Sequence, residues 1–297
     1  MENGDSQGVH TDARREPKRK CLEVLPPIPT DLEPNDLYYS MKKTDRGLVI
    51  IFSHESFDEI DGVEAKPRHG TSKDVEKLSY TFSDLGFKVD LQENRTYKEI
   101  MYHISLVSRM DELKNYDCLV VFVLTHGDEC EKIYAKDKTY YVKELVEPFT
   151  GTNCMQLANK PKLFFIQACK GGKSQKGIKL RTMTDSGQVN GANPTCVPYS
   201  IPEISDVLVA YATIEGYTAL RDPAWGSPYI RCLCDELIDS GTTDDLLVIL
   251  IRVHHSLSTS VYRLEGSSQL VKVQPSFLCY LNRFVRFGAQ SFKPQTQ

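Results

Sequence analysis

The sequence predicts an α/β fold: a doubly wound, mostly parallel six-stranded sheet with helices on both faces. Three observations predict it. Short apolar runs at residues 48–52, 117–124, 162–167 and 206–212 read as buried strands. Amphipathic helical patterns alternate with them, as in sheets built from strand-helix-strand units. Two of the runs end abruptly in a reactive side chain followed closely by glycine, His126-Gly127 and Cys169-Lys170-Gly171. The carboxyl ends of parallel strands are where such sheets bind ligands.

The elements follow in order. Residues 1–43 are polar and charged, carry Pro26, Pro27, Pro29 and Pro34, and show no sustained periodicity, so they are expected to form a disordered leader. This leader is too short for a folded adaptor domain. Its basic cluster, Arg14, Arg15, Lys18, Arg19 and Lys20, reads as a solvated tail rather than an import signal. A strand at 48–52, a helix at 72–85 stopped by Gly86, and a strand at 87–91 form the first unit. Thr96 and Glu99 make a capping box for a helix whose apolar face is Ile100, Ile104 and Val107. The strand at 117–124 delivers His126. A polar hairpin around 134–141 and a short helix near 142–149 precede the strand at 162–167, which delivers Cys169.

Residues 170–203 lose all periodicity and form a loop far longer than the ~12–15 residues usual inside a compact domain. Order resumes with a strand at 206–212, helices at 228–239 and 244–258, and a last apolar strand at 277–287.

Composition excludes several classes. The chain has 297 residues, enough for a sizeable core without metal or disulfide staples. Its 36 basic and 40 acidic residues argue against a nucleic-acid or membrane-surface partner. Nine cysteines are an odd count with no Cys-x-x-Cys pair, so reduced thiols and no metal are expected. No stretch approaches the ~18 apolar residues that span a bilayer, and a cytoplasmic location is expected. Phe52-Ser53-His54-Glu55-Ser56 is the wrong chemistry for a phosphate loop, and no cofactor is implied.

A cysteine and a histidine at one sheet edge suggest a thiol nucleophile with its base. Alone, each would read as an ordinary packing residue. The context of both is more specific. Gln167-Ala168-Cys169-Lys170-Gly171 resembles the caspase signature, Gln-Ala-Cys followed by Arg, Gln or Gly and then Gly. Lys170 departs from that set but keeps a basic residue, expected to project from the turn. Further matches are Arg68-His69-Gly70-Thr71, Thr125-His126-Gly127, and Gly216-Tyr217 leading to Arg221 and Gly226-Ser227. The resemblance runs from about Tyr38 to Phe287.

It implies a caspase-like catalytic domain in which Cys169 attacks the scissile carbonyl, His126 is base and then acid, and the amides of Gly127 and Cys169 hold the oxyanion. In the family a backbone carbonyl, here near Lys66 or Pro67, orients the imidazole. Arg68, Arg221 and the amide of Gln167 match the family's aspartate pocket, where fixed cationic donors offset the desolvation of a carboxylate. Leu220 and Asp222 stand where the family commonly has Ser-Trp-Arg-Asn, and Pro228 replaces a Trp. These departures are expected to shift substrate preference and to disfavour an acidic residue three positions before the aspartate.

The same resemblance divides the chain into a leader (1–43), a large subunit (44–185), a linker (186–203) and a small subunit (204–297). Asp185, followed by Ser186-Gly187, is the expected processing site; Asp12, Asp31 and Asp36 are weaker candidates. The implied protein is an effector-type zymogen of programmed cell death, cut by an upstream protease, acting on proteins after Asp, and dimeric through its last strand. A homodimer or a heterodimer with a related caspase would serve. The rival reading is a catalytically weak homologue that regulates an active relative.

Overall fold

The computed structural model describes residues 37–43, 45–60, 62–174, 205–263 and 268–288. The leader before Leu37, the processing candidate Asp185 and the 186–203 linker lie outside the described residues.

Six strands form the central sheet: β1 (Gly47–Ser53), β2 (Phe87–Glu93), β3 (Cys118–Leu124), β4 (Lys162–Gln167), β5 (Val207–Tyr211) and β6 (Ser276–Tyr280). Their order is β6-β5-β4-β3-β1-β2, with every pairing parallel except β6 on β5. The helices are α1 (Thr71–Asp84), α2 (Tyr97–Val107), α3 (Val142–Val146), α4 (Pro228–Ser240) and α5 (Leu246–Thr259).

Strands β1, β3, β4 and β5 are buried at every position, which accounts for their unbroken apolar runs. Alternate side chains of β1 serve opposite layers. Val49 and Ile51 join Leu78, Phe82, Ile230 and Val253 from α1, α4 and α5, while Leu48, Ile50 and Phe52 join Ile100, Ile104 and Leu145 from α2 and α3. Phe82 meets the rings of Phe87, Phe122 and Phe287 edge-on at 5.3–6.3 Å. Truncating such a ring costs about 3–5 kcal/mol. The capping box at α2 forms as expected: the Thr96 side chain accepts from the Glu99 amide, and Glu99 accepts from the Thr96 amide at 2.8 Å.

One expectation changes. The last apolar segment is a strand only over Ser276–Tyr280, not to residue 287. Beyond Tyr280 the chain leaves β5 because other partners take its backbone: Phe284 bonds Leu37 and Tyr39, Val285 donates to the Asp245 carboxylate, and Phe287 donates to Gly241 O. Ahead of β1, Tyr39 and Met41 are buried in the core, and the Tyr39 hydroxyl donates to Asp206 at 2.7 Å.

Six cysteines, Cys118, Cys154, Cys169, Cys232, Cys234 and Cys279, are free thiols. Among the described residues no helix is long and apolar enough to cross a membrane.

Candidate active site

Neighbouring parallel strands β3 and β4 pair Leu124 with Gln167 at their carboxyl ends. The segments Thr125-His126-Gly127 and Ala168-Cys169 therefore leave the sheet side by side. Gly127 lies so close to the second segment that a Cβ there would sit 2.2 Å from the Cys169 carbonyl oxygen and 2.9 Å from the Ala168 Cβ. Any side chain would push the two segments apart. Among the described residues, the amides of Gly127 and Cys169 have no backbone carbonyl partner. Two uncommitted N–H groups beside a thiol are suited to a developing oxyanion.

The His126 ring donates from Nε2 to the Lys66 carbonyl oxygen at 2.7 Å, the kind of orienting carbonyl expected near Lys66 or Pro67. Since a carbonyl only accepts, Nε2 keeps its proton in the neutral ring and Nδ1 is the free base. Burial, with the Arg68 and Arg221 cations, lowers the His126 pKa, and the bond to Lys66 opposes this. The imidazole is thus neutral at neutral pH. Phe57 flanks it with ring centroids 4.8 Å apart, and Tyr134 stands edge-on at 6.0 Å. Among the described residues the half-buried Cys169 thiol makes only a long 3.9 Å contact to Ala219 O.

Arg68, Gln167 and Arg221 converge on the same edge. Arg68 is 2% exposed; its guanidinium donates to His54 O at 3.2 Å, Thr71 Oγ1 at 3.0 Å and Gln167 O at 3.4 Å. Arg221 donates from Nε to His69 O at 2.8 Å. Burial, then the neighbouring Arg221, pulls the Arg68 pKa down; burial does the same to Arg221. Both remain cationic, so the pair is a pocket of repelling charges that a carboxylate would relieve. The Gln167 amide donates to Leu220 O at 3.2 Å, which ties β4 to the strand-like segment carrying Arg221.

The other expected residues sit differently. Leu220 packs against the core layer of α1 and α4. Asp222 is exposed, and its Oδ1 accepts from the Ala224 and Trp225 amides at 2.8 and 3.0 Å, so the carboxylate caps its own turn. Lys170 does not project from its turn. It points inward, with Nζ 3.2 Å from Glu215, 3.6 Å from Glu131 and 3.8 Å above the Tyr211 ring. His126 also lines a cavity of ≈ 370 Å³, together with Ile60, Lys66, Gly127, Lys132 and Tyr134.

A cysteine and a neutral imidazole on adjacent segments at a parallel-sheet edge are the equipment of a cysteine hydrolase. Comparison with known proteins specifies the class. The family model of the caspase domain matches residues 46–283. Caspase-1 of Spodoptera frugiperda is 40% identical over 258 residues, spanning 86% of this chain and 82% of that protein. Caspase drICE of Drosophila melanogaster is 32% identical over 259 residues, spanning 86% and 74%. The crystal structure of Caspase-1 from Spodoptera frugiperda superposes with a TM-score of 0.75 at 35% identity, covering 91% of this chain and 99% of that one. The chain belongs to the caspase family. It is a cysteine-type endopeptidase that cleaves after aspartate, is made as a zymogen, and serves programmed cell death.

Sequence reasoning missed three residues at this edge. Phe57 lies in an irregular loop with no periodic signal. Trp225, the single tryptophan, is 72% exposed in the turn after Arg221; an isolated aromatic between Pro223 and Gly226 was the available signal. Asp74 looks in sequence like an ordinary acid in the first turn of a helix, yet it is buried.

Proposed function

We propose that Cys169 is the nucleophile and His126 its base and acid. The His126 Nδ1 takes the thiol proton and the sulfur attacks the scissile carbonyl carbon. The resulting oxyanion sits against the amides of Gly127 and Cys169. The C–N bond breaks as the imidazolium returns the proton to the leaving amine, leaving a thioester. Water, deprotonated by the same imidazole, then hydrolyses the thioester and regenerates the thiol. Arg68, Gln167 and Arg221 receive the aspartate carboxylate, while Leu220 and Asp222 shape the adjoining segment.

The convergence of two buried-side guanidinium groups, Arg68 and Arg221, on the strand end that carries Cys169 is what supports this reading best. Processing after Asp185 by an upstream protease, pairing of two copies through the outer edge of β6, and a cytoplasmic location complete it. The exposed Leu278 on β6, 40% accessible, supports the pairing, because an uncovered sheet edge is a template for another strand.

Turnover of fluorogenic tetrapeptides ending in Asp, Glu, Asn or Lys tests the assignment, with Cys169→Ala alongside the native protein. Cleavage confined to Asp and abolished in Cys169→Ala is expected. No turnover, even after cutting at Asp185, would favour the regulatory-partner reading instead.

A further inference from the structure

Asp74 lies in the first turn of α1, where a carboxylate ordinarily faces helix amides or water. Here it is 2% exposed, and its hydrogen bonds run across the molecule. Oδ1 accepts from the Ser227 amide at 2.7 Å and Oδ2 from the Ser227 hydroxyl at 2.6 Å, with Ser227 fully buried. Burial raises the Asp74 pKa, and the two Ser227 donors, then Arg68 and Arg221, oppose that rise.

Ser227 ends a short chain of connections that leads to Arg221. Gly226 precedes it and exchanges both backbone hydrogen bonds with Asp222, at 2.9 and 2.8 Å. Asp222 directly follows Arg221. Gly226 has φ 79°, and a Cβ on it would lie 2.5 Å from Asp74 Oδ1, so the carboxylate approaches the loop as closely as only glycine permits. At the other end, Arg68 lies three residues before the first residue of α1, Thr71, and its carbonyl accepts from the Thr71 hydroxyl at 2.8 Å. One helix therefore carries Arg68 on its stem and grips, through Asp74, the loop that carries Arg221.

We infer that Asp74 is a positioning residue of the aspartate pocket: its two bonds to Ser227 fix the loop bearing Arg221 against the helix bearing Arg68, and so set the spacing of the two guanidinium groups. The inference rests on the proposal that these arginines bind the substrate carboxylate. Asp74 touches neither substrate nor reacting atoms. A pocket built from two separate segments is rigid only if something joins them, and misplacement by about 1 Å costs on the order of 10²-fold. The clamp acts on binding, so its loss falls on KM.

Three variants test it, with concentrations corrected by active-site titration: Asp74→Ala, Asp74→Asn and Ser227→Ala. Asn retains an acceptor for the Ser227 amide and a polar partner for its hydroxyl. Asp74→Ala is expected to raise KM for Asp-ended peptides at least tenfold with kcat within threefold, and Asn to restore KM to within about threefold of native. Trp225 gives a second readout independent of catalysis, being the single tryptophan and sitting in the clamped turn. Its steady-state fluorescence anisotropy should fall in Asp74→Ala and recover in Asp74→Asn. Unchanged KM and anisotropy in Asp74→Ala, or an Asn variant as impaired as Ala, would overturn the inference. If Asp74→Ala does not fold, Ser227→Ala, which removes one of the two bonds, should show the same pattern at smaller amplitude. A native protein that lacks Asp-selective turnover would sink the pocket assignment, while the anisotropy series would still decide whether the clamp exists.

Discussion

Gly127→Ala is the sharpest probe of this edge, because its consequence follows from one close approach. The added methyl would stand 2.2 Å from the Cys169 carbonyl oxygen and 2.9 Å from the Ala168 Cβ. A comfortable contact is about 3.5 Å, so the two segments must separate by roughly 1 Å, and overpacking of this kind costs about 1–3 kcal/mol of stability. The same movement carries the Gly127 and Cys169 amides apart. Losing one well-placed oxyanion donor lowers kcat by about 10²–10³, or roughly 3–4 kcal/mol of transition-state stabilisation. The pocket proposed for the aspartate, Arg68, Gln167 and Arg221, is not displaced, so KM should stay within a few-fold. Steady-state kinetics on an Asp-ended fluorogenic peptide, beside urea unfolding at 25 °C, separates the two effects. A variant that keeps kcat within threefold of native would refute both the oxyanion role of these amides and the claim that glycine is needed there.

Two other residues give independent predictions. His54 is buried, its Nε2 faces the Arg95 carbonyl at 3.0 Å, and burial lowers its pKa from 6.5 to about 4. Because the folded value is the lower one, the unfolded chain binds the extra proton first; stability is therefore intact above pH 6.5 and lost as pH falls toward 4, by about 3 kcal/mol in all at 1.36 kcal/mol per unit. Urea midpoints from pH 7 to 5 should decline in the native protein and flatten in His54→Gln, and identical slopes would count against this assignment. Lys170→Ala should destabilise the protein by about 1–3 kcal/mol, since it strands the half-buried Glu131 and Glu215 carboxylates, while Lys170→Arg should retain most of the stability. A loss under ~0.5 kcal/mol in Lys170→Ala urea titrations would show that the carboxylates are adequately solvated without it.

The sheet was legible because burial on both faces leaves a mark that needs no tertiary information: Leu-Phe-Phe-Ile in β4 and Leu-Val-Val-Phe-Val-Leu in β3 have no polar position to spare. The reactive ends of those strands were legible for a related reason, since Gly127 and Cys169 interrupt apolar runs that otherwise had every reason to continue. The end of β6 was not. Val285 and Phe287 are as buried as strand residues, and an apolar pattern cannot distinguish a strand from a tail packed under the arm that runs through Tyr39.

Side chains whose role depends on a distant partner were the hardest to read. Lys170 looked like a surface cation because nothing local reveals that Glu131 and Glu215 close over it. The two bonds that Asp222 Oδ1 accepts from the Ala224 and Trp225 amides are local, and an Asp followed by Pro223 is the turn signal that marks them in sequence. Asp74 and Ser227 are 153 positions apart and joined only by the fold. Motifs locate groups that act on the substrate. The groups that hold them in place are chosen by packing, and at this sheet edge they determine whether two arginines from different segments act as one pocket.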